Sequence, residues 1–421
     1  MRPKNSWLWS HRRMNDSSTR LPLAGIRVAD FGWMIAGPLA TRPLANFGAE
    51  VIRIESSARI DEIRALGPRP EGNTSPNVAG VFNDCNTSKL SMTVNLGTPE
   101  GIELAKEVVS VSDVVTNNFR GDRMGRWGLA YEDLVKLKPD IIMLGMAMMG
   151  TTGVHQHYGG NGINIIAGAG ISGITGSPDR PPVGTGSLYP DFSGNPNHAT
   201  LAVLAALRHR NRTGKGQFID LAQYESTISL LGSSVLQYTT LGSVPVRPGN
   251  RSRWAAPHGV YRCAGDDRWC AIAVETETEW DGLRRAMGDP AWAMEDRFQS
   301  VAGRKKHEDD LDELIEEWTS GRKDHEVMRC LQNQGVPAGM VQNSKDLVEN
   351  DPGFRKRHIR VLEHPEIGEM TIHGETISIS GVEPIVELAP HMGEHTEYVL
   401  KDLLGMPETD VDQLYVDGVL N

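Results

Sequence analysis

The stretch Leu23–Glu55, LAGIRVADFGWMIAGPLATRPLANFGAEVIRIE, decides the fold. Leu23–Asp30 reads as a buried strand. A turn containing Gly37-Pro38 follows. Pro38 suits the first turn of a helix, where its missing N–H leaves no bond unmade, and Leu39–Phe47 continues at helical spacing. Glu50–Glu55 (EVIRIE) then alternates as a second strand. Strand, helix and strand make a βαβ unit, which implies a parallel sheet. The rhythm returns with Ser91–Asn95 as strand, Pro99–Ser110 as amphipathic helix and Asp113–Asn117 as strand. A helix near Glu132–Lys138 leads into the strand Ile141–Ala147. The fold class is therefore α/β, with a large Rossmann-like parallel-sheet domain and a smaller α+β second domain.

Further along, Met148–Leu188 is Gly-rich and reads as irregular functional loops. His198–Arg210 is a helix with a basic C-terminal end, and Thr213–Gly216 turns the chain into the strand Gln217–Leu221. Beyond Val244 the composition shifts, with Trp254, Trp269, Trp280, Trp292 and Trp318 close together and charges denser; these tryptophans read as core and interface residues. The expected organisation is an N-terminal extension (1–20), a large domain (21–244), a small domain (245–350) and a return segment (351–421) that completes the large one. Val361–Ile379 within that return alternates like two strands.

At 421 residues the chain exceeds one ordinary core. The formal net charge of -11 argues against nucleic acid as main partner, because phosphate backbones demand a surplus of Lys and Arg. Four scattered cysteines (Cys85, Cys263, Cys270, Cys330) without a CxxC pair fit a reducing cytoplasm and give no zinc pattern. No apolar run approaches the roughly 20 residues of a membrane span, and the first twenty residues lack the apolar core of a signal peptide.

Thr175-Gly176-Ser177-Pro178-Asp179-Arg180-Pro181-Pro182 sets one carboxylate on a turn stiffened by proline on both sides. A fixed carboxylate suits a covalent nucleophile, although an Asp in such a turn is as a rule only a turn former.

Motifs spaced along the chain carry a resemblance. The opening stretch, Asn86–Gly101 (NTSKLSMTVNLGTPEG), Asn117–Leu134 (NNFR…GRWGLAYEDL) and Asn211–Glu225 (NRTGKGQFIDLAQYE) resemble, in order, the class III CoA-transferases of the CaiB/BaiF type. That family includes formyl-CoA transferase, carnitine CoA-transferase and the 2-methylacyl-CoA racemases, and the resemblance runs from about Leu21 over nearly the whole chain. It implies a CoA-transferase moving CoA from an acyl-CoA donor, such as succinyl-CoA, to a carboxylic acid. In that chemistry Asp179 attacks the thioester to form an aspartyl anhydride, then an aspartyl-CoA thioester. Asn118 and Arg126 fall where the family contacts CoA, and Arg53 and Lys89 near its expected phosphate region, with solvated surface charge as the bland alternative for these last two. The family implies an interlocked dimer, either a homodimer or a heteromer with a paralogous subunit. No cofactor is expected to stay bound, no metal is implied, and the CoA thioester enters as substrate.

The chain departs from the pattern in two places. Ile35 stands where some members carry a Gln. Arg251-Ser252-Arg253-Trp254-Ala255 stands where formyl-CoA transferase has a glycine run. A basic loop suggests a larger acceptor, with a second acid group for Arg251 or Arg253 and aromatic dicarboxylates such as benzylsuccinate as an analogy. The racemase alternative lacks its histidine, because Asn161 occupies that position; its aspartate has a counterpart in Asp191, read here as ordering a loop. Gly168–Gly173 formally spells GxGxxG, but a dinucleotide site needs a preceding strand and a long helix. A partner subunit with a degenerate site is the third reading, kept open by Ile35 and opposed by Asp179. His155-Gln156-His157 reads as an exposed pair rather than a metal site.

Overall fold

The computed structural model describes residues 21–186 and 188–420; the N-terminal extension lies outside them. The opening βαβ unit is present as β1 (Arg27–Asp30), α1 (Ala36–Asn46) and β2 (Glu50–Glu55). There follow β3 (Leu90–Thr93), α2 (Pro99–Ser110), β4 (Val114–Asn117), α3 (Tyr131–Leu137) and β5 (Ile142–Gly145). After these come α4 (Gly162–Gly168), α5 (Asn195–Thr213), β6 (Gln217–Asp220) and α6 (Gln223–Ile228). Local chemistry fixes the helix ends. Thr98 Oγ1 accepts from Gly101 N ahead of Pro99 at the start of α2, and Gly214, at φ 71°, ends α5 in the left-handed region.

The six strands pair in the order β3-β2-β1-β4-β5-β6, every pairing parallel. Alternation sends successive side chains to opposite faces. Ala29, Ile52 and Val115 pack on one face with Leu104, Ala105 and Val108 of α2. Val28, Val51 and Val114 pack on the other with Leu44 of α1 and Val203 and Ala206 of α5. Because β1 to β3 grow the sheet one way and β4 to β6 the other, the order reverses between β1 and β4. In open parallel sheets the crevice beyond the carboxyl ends of such strands is where ligands bind.

The chain separates into two compact units. One comprises the described parts of 1–171, 185–236 and 356–421, the other Ser172–Gly184 and Gln237–Arg355. The second unit holds a three-stranded antiparallel sheet of β7 (His258–Arg262), β8 (Trp269–Ala273) and β9 (Ala338–Met340). Helix α7 (Glu277–Met287) packs Trp280 and Leu283 into its core beside Phe298, Leu311 and Ile315. A capping box starts α7, with Thr276 accepting from Glu279 N and the Glu279 carboxylate from Thr276 N. The return segment contributes an antiparallel hairpin to the first unit, β10 (Ile359–His364) with β11 (Gly368–His373).

Candidate active site

At the reversal point the loop after β1 meets the loop after β4, and side chains ligate its backbone at consecutive residues. Asp30 Oδ1 accepts from Gly32 N at 2.8 Å, and Arg53 Nη1 donates to Gly32 O at 2.8 Å. Asn118 Oδ1 accepts from Trp33 N at 2.8 Å while its Nδ2 donates to Trp33 O at 2.9 Å. Asp61 accepts from Met34 N at 3.0 and 3.2 Å. Met34 sits at φ 61°, a left-handed conformation rare for a residue with this side chain. The turn is tight enough that a Cβ on Gly37 would lie 2.9 Å from Gly32 Cα.

Beneath this loop lies a buried charge network. Lys89 Nζ donates to Asp30 at 3.0 Å, to Pro38 O at 2.8 Å and to Asn86 Oδ1 at 3.1 Å. Arg53 pairs with Glu55 and Asp61, and Arg64 with Glu55. Burial alone would raise the Asp30 carboxyl, but Lys89 and Arg53 outweigh it and hold it below the usual range. Burial pushes Lys89 down to about 8 against the pull of Asp30. Arg53 and Lys89 are both 0 % exposed, their donors turned onto protein acceptors rather than toward the crevice. They brace the loop from below, which is a different placement from the direct phosphate contact expected of them.

Asn118 and Arg126 lie on the solvent side. Arg126 is exposed and pairs with Asp122 at 3.1 Å, and that bond lowers the Asp122 carboxyl. Around them runs an edge-to-face aromatic series in which Trp33 meets Phe119 at 6.0 Å and Phe119 meets Trp127 at 5.6 Å. Arg59 stands over Trp33 and Arg123 over Trp127. Aromatic faces with guanidinium groups stacked over them suit an aromatic base carrying phosphates.

The two aspartates occupy different environments. Asp179 is fully exposed in the second unit, on a turn closed by Arg180 N to Ser177 O at 3.3 Å. Ser177 Oγ donates to its carboxylate at 2.5 Å and lowers its pKa. Arg247 bridges Ser177 O and Arg180 O at 3.3 Å each, so a side chain braces the turn alongside its prolines. Asp191 is 7 % exposed, on a π-type turn (Pro190–Gly194) that leads into α5 and packs against α1. Its Oδ2 accepts from Gly162 N, in the first turn of α4, at 2.8 Å. Burial raises its pKa, partly offset by that bond. Leu188, just before it, packs on the cluster containing Ile35, which joins Asp191 to the loop after β1.

Asn161, in the racemase histidine position, caps α4 by accepting from Ile163 N at 3.1 Å. The GxGxxG run follows a helix rather than a strand and breaks at once, with Gly170 at φ 94° and only the short helix Ile171–Ile174 after it. Among the described residues no group of three His, Cys, Asp or Glu side chains could hold a metal. No described helix is long and apolar enough to cross a membrane. Arg251, expected to hold an acceptor acid, is engaged by Asp309 at 2.5 Å and Asp312 at 2.9 Å, with Glu308 near.

The sequence model of CoA-transferase family III matches residues 23–396. The chain is 35% identical over 404 residues to succinyl-CoA–D-citramalate CoA-transferase of Chloroflexus aurantiacus, covering 95% of this chain and 98% of that one. It is 33% identical over 405 residues to the beta subunit of succinyl-CoA–L-malate CoA-transferase from the same organism, covering 95% and 98%. Among solved structures a CaiB/BaiF family protein from Brucella suis superposes with TM-score 0.82 at 30% identity, covering 91% of this chain and 99% of that one. These relatives favour neither the racemase nor the non-catalytic reading. The chain belongs to CoA-transferase family III and is an enzyme of that class, acting on CoA thioesters.

Proposed function

We propose that this enzyme transfers CoA from succinyl-CoA to a small dicarboxylic acid of the malate or citramalate kind, with Asp191 as its covalent nucleophile. The observation that carries the reading is the setting of Asp191: a nearly buried carboxylate, its pKa raised by burial, held by a backbone N–H beside the reversal-point crevice. An acyl anhydride is destroyed by water, so its carboxylate belongs in a dry place. Asp179 has the rigidity required of a nucleophile but stands fully in solvent, and for that reason the role moves to Asp191.

In the forward half, an Asp191 oxygen attacks the thioester carbonyl. The tetrahedral intermediate collapses, the C–S bond breaks, and CoA leaves as thiolate from a mixed aspartyl–succinyl anhydride. The thiolate attacks the aspartyl carbonyl, releasing succinate and leaving CoA on Asp191 as a thioester. The acceptor carboxylate runs the same steps in reverse, forming its own CoA ester and freeing the aspartate. Gly162 N–H, which donates to Asp191 Oδ2, can keep donating to that oxygen when thiolate attack on the aspartyl carbonyl puts charge on it. Asn118, Arg126 and the aromatic series are the proposed CoA contacts, with Arg53 and Lys89 supporting the loop from beneath. A small diacid acceptor, taken from the names of the relatives, replaces the aromatic diacid suggested by the Arg251 loop, since Arg251 already holds carboxylates of its own unit.

The oligomer is proposed on the family pattern as an interlocked dimer, homomeric or with a paralogous chain. Tyr238, Leu241, Val244 and Val246, between 58% and 72% exposed, support a surface that a partner covers. The test of the nucleophile is trapping with hydroxylamine after incubation with succinyl-CoA, followed by peptide mapping. The label is expected on the peptide carrying Asp191. Asp191→Asn is expected to lose more than about 10³-fold in transfer, the scale seen when a nucleophile is removed. Asp179→Ala is expected to keep the adduct. A label on Asp179 with a silent Asp191 returns the role to Asp179.

A further inference from the structure

We propose that Asp61 is a positioning residue for CoA binding, acting through the left-handed backbone of Met34; the inference rests on the reading of the reversal-point crevice as the CoA site. A loop that only joined β1 to α1 would place glycine at a positive φ. Here a methionine is held there, and its N–H is taken by both oxygens of a carboxylate distant in sequence. That carboxylate is itself fixed, because Arg53 pairs with it and Ile63 N donates to it at 3.2 Å.

Consecutive residues of the loop are thus fastened by side chains of separate elements: Gly32 by Asp30 and Arg53, Trp33 by Asn118, Met34 by Asp61. A connection under no functional constraint would not need such over-determination, and strain of this kind collects where geometry must be exact for a ligand. What the clamp places is Trp33. Its backbone meets Asn118, its ring meets Phe119, and Arg59 lies over its face. Without the Asp61 clamp Met34 relaxes to a negative φ, and Trp33 and the start of α1 turn away from Asn118.

The experiment approaches the same backbone from two sides. Met34→Val leaves the Asp61–Arg53 pair intact but disfavours the left-handed conformation, as a β-branched residue must. Asp61→Asn removes the charge while Met34 stays. CoA itself is the probe, titrated by the quenching of tryptophan fluorescence; KM for acyl-CoA, kcat and the melting temperature are measured in parallel. Met34→Val is expected to weaken CoA binding about tenfold and raise KM in step, with kcat changing less and the melting temperature little. Asp61→Asn is expected to show the same weakening together with a lower melting temperature. Met34→Gly placed in the Asp61→Asn background restores CoA binding to within about threefold of wild type, because glycine takes the conformation unaided, and leaves the melting temperature low. A purely structural Asp61 would give no such split.

Wild-type CoA affinity in Met34→Val overturns the proposal, as does an Asp61→Asn loss that glycine does not repair. If Asp61→Asn fails to fold, Met34→Val decides alone. The affinity readout needs neither donor nor acceptor. A wild-type protein that binds CoA but moves none from succinyl-CoA sinks the substrate reading and leaves this one to its own result.

Discussion

Lys89→Met tests whether the buried network holds the loop or serves the substrate. Asp30 is 0 % exposed and receives four donors: Gly32 N at 2.8 Å, Thr41 Oγ1 at 2.7 Å, Thr116 Oγ1 at 3.0 Å and Lys89 Nζ at 3.0 Å. Removing the lysine leaves the buried anion with neutral hydrogen-bond donors and only the charge of Arg53 nearby, and breaking a buried pair in this way costs about 3–5 kcal/mol. Pro38 O and Asn86 Oδ1 also lose a donor, which places the expectation in the upper half of that range. At about 1.4 kcal/mol per decade, backbone amides of β1 and β3 should exchange with deuterium about 700- to 4,000-fold faster. Hydrogen exchange read by mass spectrometry resolves those strands apart from the second unit, so a multi-step melt does not blur the answer. Adding Asp30→Asn removes the orphaned charge, and the double variant is expected to recover at least half the loss. Unchanged exchange in Lys89→Met, accompanied by weak CoA binding, would refute the framework reading and return Lys89 to the substrate.

Two further perturbations are smaller. Asp84 accepts a hydrogen bond from His373 Nδ1 at 3.2 Å, and this raises the His373 pKa. A histidine raised on folding adds stability that is complete below its unfolded value of about 6.5 and is lost as pH climbs through the folded value. The melting difference between wild type and His373→Asn should therefore be largest in mild acid and fade above neutrality. It should stay under about 1 kcal/mol because the ring is half exposed; a difference that grows with pH would be the wrong sign. In the second unit a Cβ on Gly282 would lie 2.5 Å from Gln334 O and 2.9 Å from Val336 Cγ2. Gly282→Ala should destabilise that unit by about 1–2 kcal/mol, the crowding outweighing the roughly 1 kcal/mol that alanine gains in a helix. A urea melt followed by tryptophan fluorescence that moved to higher midpoint would contradict this packing.

Elements defined by local pattern are legible in the sequence. Glu50–Glu55 and Pro99–Ser110 appear with the expected bounds, because period-2 alternation in one and a Thr-Pro start in the other are local signals. The apolar pattern of Leu23–Asp30 overextends its strand. Only Arg27–Asp30 pairs in the sheet, and Leu23 and Ile26 pack on its core from a turn. Helix α4 is hidden by the glycines around it, although Asn161 and Asn164, three apart, spell the cap that starts it. The partners of Arg53 are hidden for another reason. Arg53 and Glu55, two apart in EVIRIE, read as the solvated face of a strand, and only the pairings of Arg53 with Asp30 and Ser91 on either side show an interior strand.

The two aspartates show why rigidity and shielding part company. A Pro-rich turn can be read from sequence, and at Asp179 Arg247 braces the turn alongside its prolines. Dryness cannot be read so directly, because it depends on what covers a residue. Asp191 is dry because α1 and α4 close over a turn that precedes a long helix, and those contacts join segments far apart in the chain. The one local sign is its place, an acid directly after a proline and just ahead of a helix start, where backbone N–H groups converge. An acyl anhydride needs its carboxylate both fixed and shielded, and of the two aspartates Asp191 meets the second condition.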